Sequence, residues 1–333
     1  MGSNDRANMA VIFSQSDYLL GFMNYIYDSK TGFSCFGFTS NDKLMGFAKE
    51  HGISLLLSDK ESYETGAKQI KSEITVVLAD RAEMETCKDA YVVDILQPVD
   101  EILREVLSIA SMSDIKVSSV TSGNDGMVHT VYSPVNRCLK TTLAMTFAQI
   151  LSEREDTIYI NFEADSGFSS LFMETYDGDL SDLMFYLRDD GKDRFGLRLQ
   201  SIVRESRGVR YIPPVSVPGD LAQIGAEEVT ELLLCIKSMG YRNIVMDLGT
   251  YMEGFEKILE ASDRIYTPVR RDSMSQAKLS YMDSYLHFTG HAALAERMEL
   301  LELPYFKDIP SVAGDLKSTE LGKYARDLLE REQ

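Results

Sequence analysis

The sequence predicts an α/β protein built as two doubly wound domains, and three observations predict it. Short apolar runs alternate with helical patterns along nearly the whole chain, the signature of parallel sheets covered by helices. The alternation is interrupted once, by the Ser-, Asp- and Gly-rich stretch "SMSDIKVSSVTSGNDG", which reads as a connection between domains. A chain of 333 residues is also long enough for two ordinary cores. The expected organisation is a first domain at 1–112, a linker at 113–126 and a second domain at 127–333.

In the first domain "AVIFSQ" reads as a strand and "DYLLGFMNYIYD" as a helix. "FSCFGFTS" and "NDKLMGFAKEHG" repeat the pair, and "ISLLLS", "TVVLAD" and "YVVDILQP" add three strands before the helix "VDEILREVLSIA". Their apolar runs are nearly continuous, as in strands buried on both faces. In the second domain "MVHTVYS" is a strand and "KTTLAMTFAQILSER" a helix. "TIYINFE", "YRNIVMDLG" and "DRIYTPV" are further strands. "LSDLMFYLRD" reads as a helix with Ser181 as N-cap, and "AEEVTELLLCIKSMG" as one closed by Gly240. "SQAKLSYMDSYLHFTG" and "TELGKYARDLLERE" complete the helices, and Gly290 is expected to end the first of these two.

Bulk properties exclude several functions. The formal net charge of −18 opposes non-specific nucleic-acid binding and an anionic membrane surface, both of which need Lys and Arg. The basic cluster "VRRD" around Arg270 reads as a solvated ion pair. No apolar run of membrane-spanning length and no apolar leader are visible. Cys35, Cys87, Cys138 and Cys235 lack metal or redox spacing, so free thiols in a reducing cytoplasm are expected.

The most informative stretch is "VYSPVNRCLKTTLA", Val131–Ala144. A phosphate-binding loop joins a buried strand to a helix. Backbone N–H groups hold the phosphates, a lysine neutralises them and a Ser or Thr hydroxyl holds Mg²⁺. Lys140, Thr141 and Thr142 stand where such a loop puts these groups. Its usual glycines are missing, although they allow the tight turn and the close approach.

This stretch resembles the deviant Walker A segment of the MinD/ParA-type ATPases, K-G-G-x-G-K-T-T. On that pattern Lys140 falls on the phosphate-loop lysine and Thr141 on the Mg²⁺ hydroxyl. Val135 falls on the second, signature lysine, and Asn136, Arg137 and Leu139 fall on the three glycines. "TIYINFEADSGF" resembles the strand that normally reads D-x-D, with Asn161 and Glu163 at the acidic positions. "YRNIVMDLGT" resembles the Walker B strand, with Asp247 as the Mg²⁺-side carboxylate. The resemblance spans about two-thirds of the chain. It implies Arg137, Lys140, Thr141, Thr142, Glu163 and Asp247 as the nucleotide-side residues, with Arg137 able to occupy the phosphate site as a built-in cation. ATP and Mg²⁺ are the cofactors it implies. The lost glycines, the lost signature lysine and Asn161 argue against turnover, so a pseudo-ATPase without catalytic residues is expected.

The first domain resembles a response-regulator receiver, a flavodoxin-like fold. Asp17 is the only acid after its first strand. Ser58 occupies the phospho-accepting position, with Asp59 one place later. Ala79 and Gln97 replace the expected hydroxyl and lysine, so the phosphorylation chemistry is absent. A receiver-like domain fused to a MinD/ParA-like one resembles the CpaE/TadZ proteins of Flp/Tad pilus assembly. That likeness implies a cytoplasmic scaffold or localisation protein, often a homodimer, with protein partners, no nucleic acid and no membrane insertion. An ATP-gated switch or slow ATPase using Lys140, Thr141 and Asp247 is the alternative. A receiver-based transcriptional regulator is disfavoured, because no helix-turn-helix pattern is evident. His287 and His291 share a helical face but lack a third ligand, and no metal site is assigned to them. Glu163 and Asp165 read as a solvated rim with a lesser cation-binding alternative. "YIPPVSVPGDL" reads as a loop-shaping segment.

Overall fold

The structure, a computed structural model, describes residues 7–29, 31–80, 89–113, 115, 117, 126–189, 192–249 and 252–331. It divides into two compact units, Met1–Val120 with Asp189–Ile202, and Thr121–Arg188 with Val203–Gln333. Most of the stretch expected as a linker, and Cys87, lie outside the described residues.

The first unit runs β1 (Asn8–Ile12), α1 (Ser16–Asp28), β2 (Ser34–Phe38), α2 (Asn41–Glu50), β3 (Ile53–Asp59), α3 (Lys60–Thr65), β4 (Ser72–Ala79), β5 (Tyr91–Asp94) and α4 (Val99–Ser111). The strands are all parallel in the order β2-β1-β3-β4-β5. This is the flavodoxin-like doubly wound order. Strand residues alternate between faces: Met9, Val11, Leu55 and Leu57 enter the larger core, whereas Ala10, Ile12 and Leu56 enter a smaller one with Leu44 of α2. Burial on both faces explains the unbroken apolar runs.

The second unit begins with β6 (Met127–Tyr132), α5 (Lys140–Leu151), β7 (Thr157–Phe162), α6 (Phe168–Phe172) and α7 (Leu180–Asp189). The helix α8 (Lys192–Ile202) follows in sequence but belongs to the first unit. There follow β8 (Arg204–Ser206), β9 (Val209–Ile212), α9 (Pro218–Leu221), α10 (Ala226–Ser238), β10 (Asn243–Leu248) and α11 (Phe255–Glu260). The chain closes with β11 (Arg264–Val269), α12 (Ser273–Phe288), α13 (Ala292–Arg297), β12 (Met298–Glu302) and α14 (Glu320–Glu330). The strand order is β12-β11-β6-β10-β7-β9-β8. All pairs are parallel except β8–β9. That hairpin turns on Arg207 and Gly208, both at positive φ (54° and 77°), as a two-residue hairpin of the primed type requires.

The start of α7 corrects one expectation. Asp179, not Ser181, caps it: Asp179 Oδ1 accepts from Ser181 N at 2.8 Å and from Ser181 Oγ at 2.6 Å. Its Oδ2 accepts from Ser216 N at 2.7 Å. Burial raises the Asp179 pKa, but the bonds from Ser181 and Ser216 outweigh burial and hold it below the ordinary carboxylate range. Gly240 and Gly290, both at φ 84°, follow the ends of α10 and α12 as expected.

The helix α8 departs from the even division of the chain. Leu197 is fully buried in the larger core of the first unit, with Ile102, Val106 and Leu107 of α4. Arg194 Nη1 donates to Ser113 O at 3.3 Å, and Arg198 Nη1 to Ser108 Oγ at 3.4 Å. Truncating Leu197 to Ala removes that packing and leaves a cavity, at a cost of about 2–4 kcal/mol. The expected result is faster hydrogen exchange in β1–β5 with α5 and β10 unchanged. Loosening confined to 192–202 would show that α8 is not part of that core.

Candidate functional site

Strand connectivity places the site. From β6 the chain passes through α5 to β7, two positions across the sheet. From β10 it passes back through α11 to β11, on the other side of β6. Such a reversal opens a crevice at the carboxyl ends of the strands. Asp247 of β10 lies in register with Val131 of β6 and Asn161 of β7. Alternation puts Tyr159, Asn161 and Glu163 on one face, together with Val245 and Asp247. That face meets α5, because Val131, Tyr159 and Val245 share a core with Leu143 and Phe147.

Asp247 is fully buried. Its Oδ2 accepts from Tyr159 OH at 3.0 Å and from Asn161 Nδ2 at 3.2 Å. The Asn161 amide also donates to Tyr159 OH at 3.1 Å. Asp247 Oδ1 has no hydrogen-bond partner among the described residues. Burial is the largest influence and pushes the Asp247 pKa up to about 6. The Thr141 hydroxyl opposes it, Glu163 adds to it, and Lys140 and Tyr159 oppose it. Burial, with the Asp247 charge beside it, also raises the Tyr159 phenol well above its ordinary range, so Tyr159 acts as a neutral donor.

Lys140 opens α5 and is 8% exposed, and its Nζ lies 3.5 Å from Glu163 Oε1, whose side chain is 30% exposed. The same nitrogen reaches Gly249 O at 3.5 Å. Asn161 Oδ1 accepts from Glu163 N at 2.8 Å, which ties the end of β7 to the cluster. Lys140, Thr141, Glu163 and Asp247 are therefore brought together. Thr142 is buried on α5, and its carbonyl accepts from Thr146 Oγ1 at 2.6 Å. The Arg137 side chain is exposed and stands outside the buried cluster; its carbonyl accepts from Arg270 Nη1 at 3.5 Å.

The loop before α5 holds an unusual backbone. Arg137 and Leu139 have φ of 55° and 63°, a region that glycine enters freely and side chains resist by roughly 1–2 kcal/mol. Internal contacts secure it. Ser133 Oγ accepts from Val135 N at 3.0 Å, and Leu139 O accepts from Leu143 N at 2.8 Å. Val135 and Cys138 are buried, and Leu139 packs against the α5 core.

Several of the other candidates are engaged in structural bonds. Asp59 caps α3, its Oδ1 accepting from Ser62 N at 2.9 Å. Its Oδ2 accepts from Ser14 N and Ser14 Oγ, both at 2.7 Å. Ser58 is fully buried and donates to Asp59 O at 2.8 Å. Gln97 donates to Glu105 at 2.8 Å, Ala79 is buried, and Asp17 lies exposed in the first turn of α1. His291 meets Glu260 at 2.9 Å, whereas His287 meets the Asp283 carbonyl at 2.9 Å. Asp165 is exposed. Among the described residues no three His, Cys, Asp or Glu gather as a metal site, and no helix is long and apolar enough to cross a membrane. Tyr159 and Gly249 are members of the site that motif spacing did not mark. Strand alternation back from Asn161 finds the first, and the glycine after "MDL" hints at the second.

No family model matches this chain, and no curated protein matches it. Among solved structures it is similar to a plasmid partition protein from Borrelia burgdorferi B31 bound to AMPPNP, at 13% identity over 63% of this chain and 100% of that one, TM-score 0.43. It is similar to a ParA family ATPase from Chlorobium tepidum TLS, at 18% identity over 53% and 72% of the two chains, TM-score 0.44. It is also similar to cobyrinic acid a,c-diamide synthase from Mycobacterium smegmatis, bound to an ATP analogue and magnesium, at 11% identity over 62% and 95%, TM-score 0.43. Likenesses this slight decide nothing about the chemistry of this chain.

The raised Asp247 pKa has a direction in stability. Between the ordinary carboxylate value of 3.8 and about 6 the folded state binds more protons than the unfolded one, so this group's contribution falls as pH rises through that window and is level above it. Asp247→Asn is expected to stabilise the chain at pH 7.5 by on the order of 2–3 kcal/mol, with the gain vanishing towards pH 4. Urea unfolding across that range checks it, and a gain independent of pH would refute the assignment.

Proposed function

We propose that the second unit is a P-loop-like module that keeps the shape of a phosphate site without turning nucleotide over, and that the chain works as a scaffold. The observation that carries this reading is the loop itself. Arg137 and Leu139 take left-handed backbone conformations, so the turn is retained by residues that carry side chains where the phosphate-loop pattern has glycine. In the MinD/ParA resemblance Val135 stands for the signature lysine, and here it is buried. Asn161 is spent as a donor to Asp247. The Thr141 hydroxyl and the orphaned Asp247 Oδ1 fit a Mg²⁺ ion and would hold it if nucleotide enters.

The scaffold would recognise proteins through its surfaces. On α12, Met274, Tyr281 and Phe288 recur every seven residues and are 65%, 75% and 90% exposed. An apolar seam of that period suits a helix of a second copy, which supports a homodimer. The first unit has the flavodoxin-like order, with Asp59 committed to a helix cap. That supports a receiver-like binding module without a phosphorylation switch. By resemblance, this chain is a cytoplasmic CpaE/TadZ-like protein whose partners belong to a pilus or secretion assembly. The second reading, an ATP-gated switch or slow ATPase, is favoured by the convergence of Lys140, Thr141 and Asp247.

Titration with Mg-ATP, followed by thermal shift and phosphate release, separates the two readings. The expected outcome is no phosphate release. Any binding would appear only as stabilisation, about 2.7 kcal/mol at a hundred times Kd, and would vanish in Lys140→Ala. Release that depends on Lys140 would favour the ATPase. For the dimer, light scattering of Tyr281→Glu is expected to show a monomer where the parent chain is a dimer. An unchanged mass would remove α12 from the interface.

A further inference from the structure

We infer that Glu163 is the resident counter-ion of Lys140, and that a phosphate-type anion enters this site only by displacing it. Four observations converge. Among the described residues Lys140 Nζ is held by Glu163 Oε1 and by Gly249 O, each at 3.5 Å. Glu163 is the more exposed member of the pair, at 30% against 8%, so an anion arriving from solvent meets the carboxylate before the ammonium. The Glu163 backbone is oriented by its bond to Asn161. Finally, Glu163 has a seat. A Cβ on Gly249 would stand 2.2 Å from Glu163 Cγ and 2.4 Å from both Cδ and Oε1. Gly249 is outside the left-handed region, so its lack of a side chain matters for the close approach of Glu163 and not for a turn.

A carboxylate and a phosphate oxygen ask the same of a lysine: compact negative charge at ion-pair distance. A buried ammonium cannot serve both at full strength, because leaving either anion unpaired near it costs affinity. The site therefore selects for ligands with enough charge to outcompete Glu163. That points to a di- or triphosphate, not a single carboxylate or phosphate monoester. This inference rests on the proposed phosphate-site shape of the loop.

Calorimetric titration of the full chain with ADP and with inorganic pyrophosphate tests it. The variants are Glu163→Gln, Gly249→Ala and Glu163→Gln combined with Lys140→Ala. Glu163→Gln is expected to bind at least about tenfold tighter than the parent chain, and the gain is expected to vanish in the double variant. Gly249→Ala, which evicts Glu163 sterically, is expected to reproduce the gain. Should it fail to fold, Glu163→Ala with Gly249→Ala removes the collision and takes its place. Equal affinity of parent and Glu163→Gln, or a gain that survives loss of Lys140, overturns the exchange. Absence of binding in every variant also overturns it and leaves the scaffold reading standing. ATP hydrolysis by Glu163→Gln would instead sink the scaffold reading while the exchange holds.

Discussion

One carboxylate organises the second unit. Asp247 sits in the middle of a parallel sheet with no exposure to water, and a charge there is costly unless its surroundings compensate. The compensation accounts for the residues around it. Tyr159 and Asn161, on the neighbouring strand and the same face, aim two donors at Oδ2. Thr141 and Lys140 approach from the start of α5 and favour the ionised form, whereas Glu163 opposes it. The result is a carboxyl whose pKa is pushed up to about 6. It has one saturated oxygen and one orphaned one. A Leu in its place would leave the Tyr159 hydroxyl and the Asn161 amide without their acceptor.

The loop before α5 obeys a second constraint. Left-handed backbone at two side-chain-bearing residues, Arg137 and Leu139, persists only where the surroundings over-determine it. Burial of Val135 and Cys138, the Ser133 bond and the packing of Leu139 do that here. A loop with no use for the turn could relax to ordinary conformations and recover the cost. Retention of the turn and loss of its glycines thus act on different links of the chain from sequence to function. The first fixes where α5 begins and holds Lys140 against Glu163. The second decides how near a ligand can come.

Much of this fold was legible in the sequence because parallel strands buried on both faces leave unbroken apolar runs. β1, β3, β4, β7 and β10 carry one, whereas β6 and β11 are broken by His129, Thr130 and Thr267, which are buried polar residues. The short edge elements were not legible. β8 and β9 have three and four residues, too few for a period to declare itself, although the Arg207–Gly208 turn was a local hint. β12 has a single buried residue and lacks such an apolar run. α8 is helical in pattern, but no local signal says that it joins the core of the first unit. In the site, Lys140 and Thr141 were expected from the strand–loop–helix pattern, and Glu163 and Asp247 from the resemblance to MinD/ParA-type strands; the fold brings the four side by side. Arg137 was also expected there, yet only its backbone takes part in the loop. Spacing cannot tell a side chain turned to solvent from one turned inward when the backbone is left-handed.

The two units have dealt with their carboxylates in opposite ways. In the first, Asp59 is saturated by Ser62 on one oxygen and by Ser14 on the other. It is a structural cap, with both oxygens engaged by neighbouring Ser62 and Ser14. In the second, Asp247 Oδ1 has no geometric hydrogen-bond partner among the described residues, and Glu163 holds a lysine in an ion pair open to solvent on one side. A saturated buried network resists exchange because every bond lost exposes a polar group. An ion pair with one exposed member exchanges more easily, since water and incoming ions can replace it step by step. If this chain responds to a small ligand, the physical chemistry therefore favours the second unit as the place where it does so, and the first as a fixed surface.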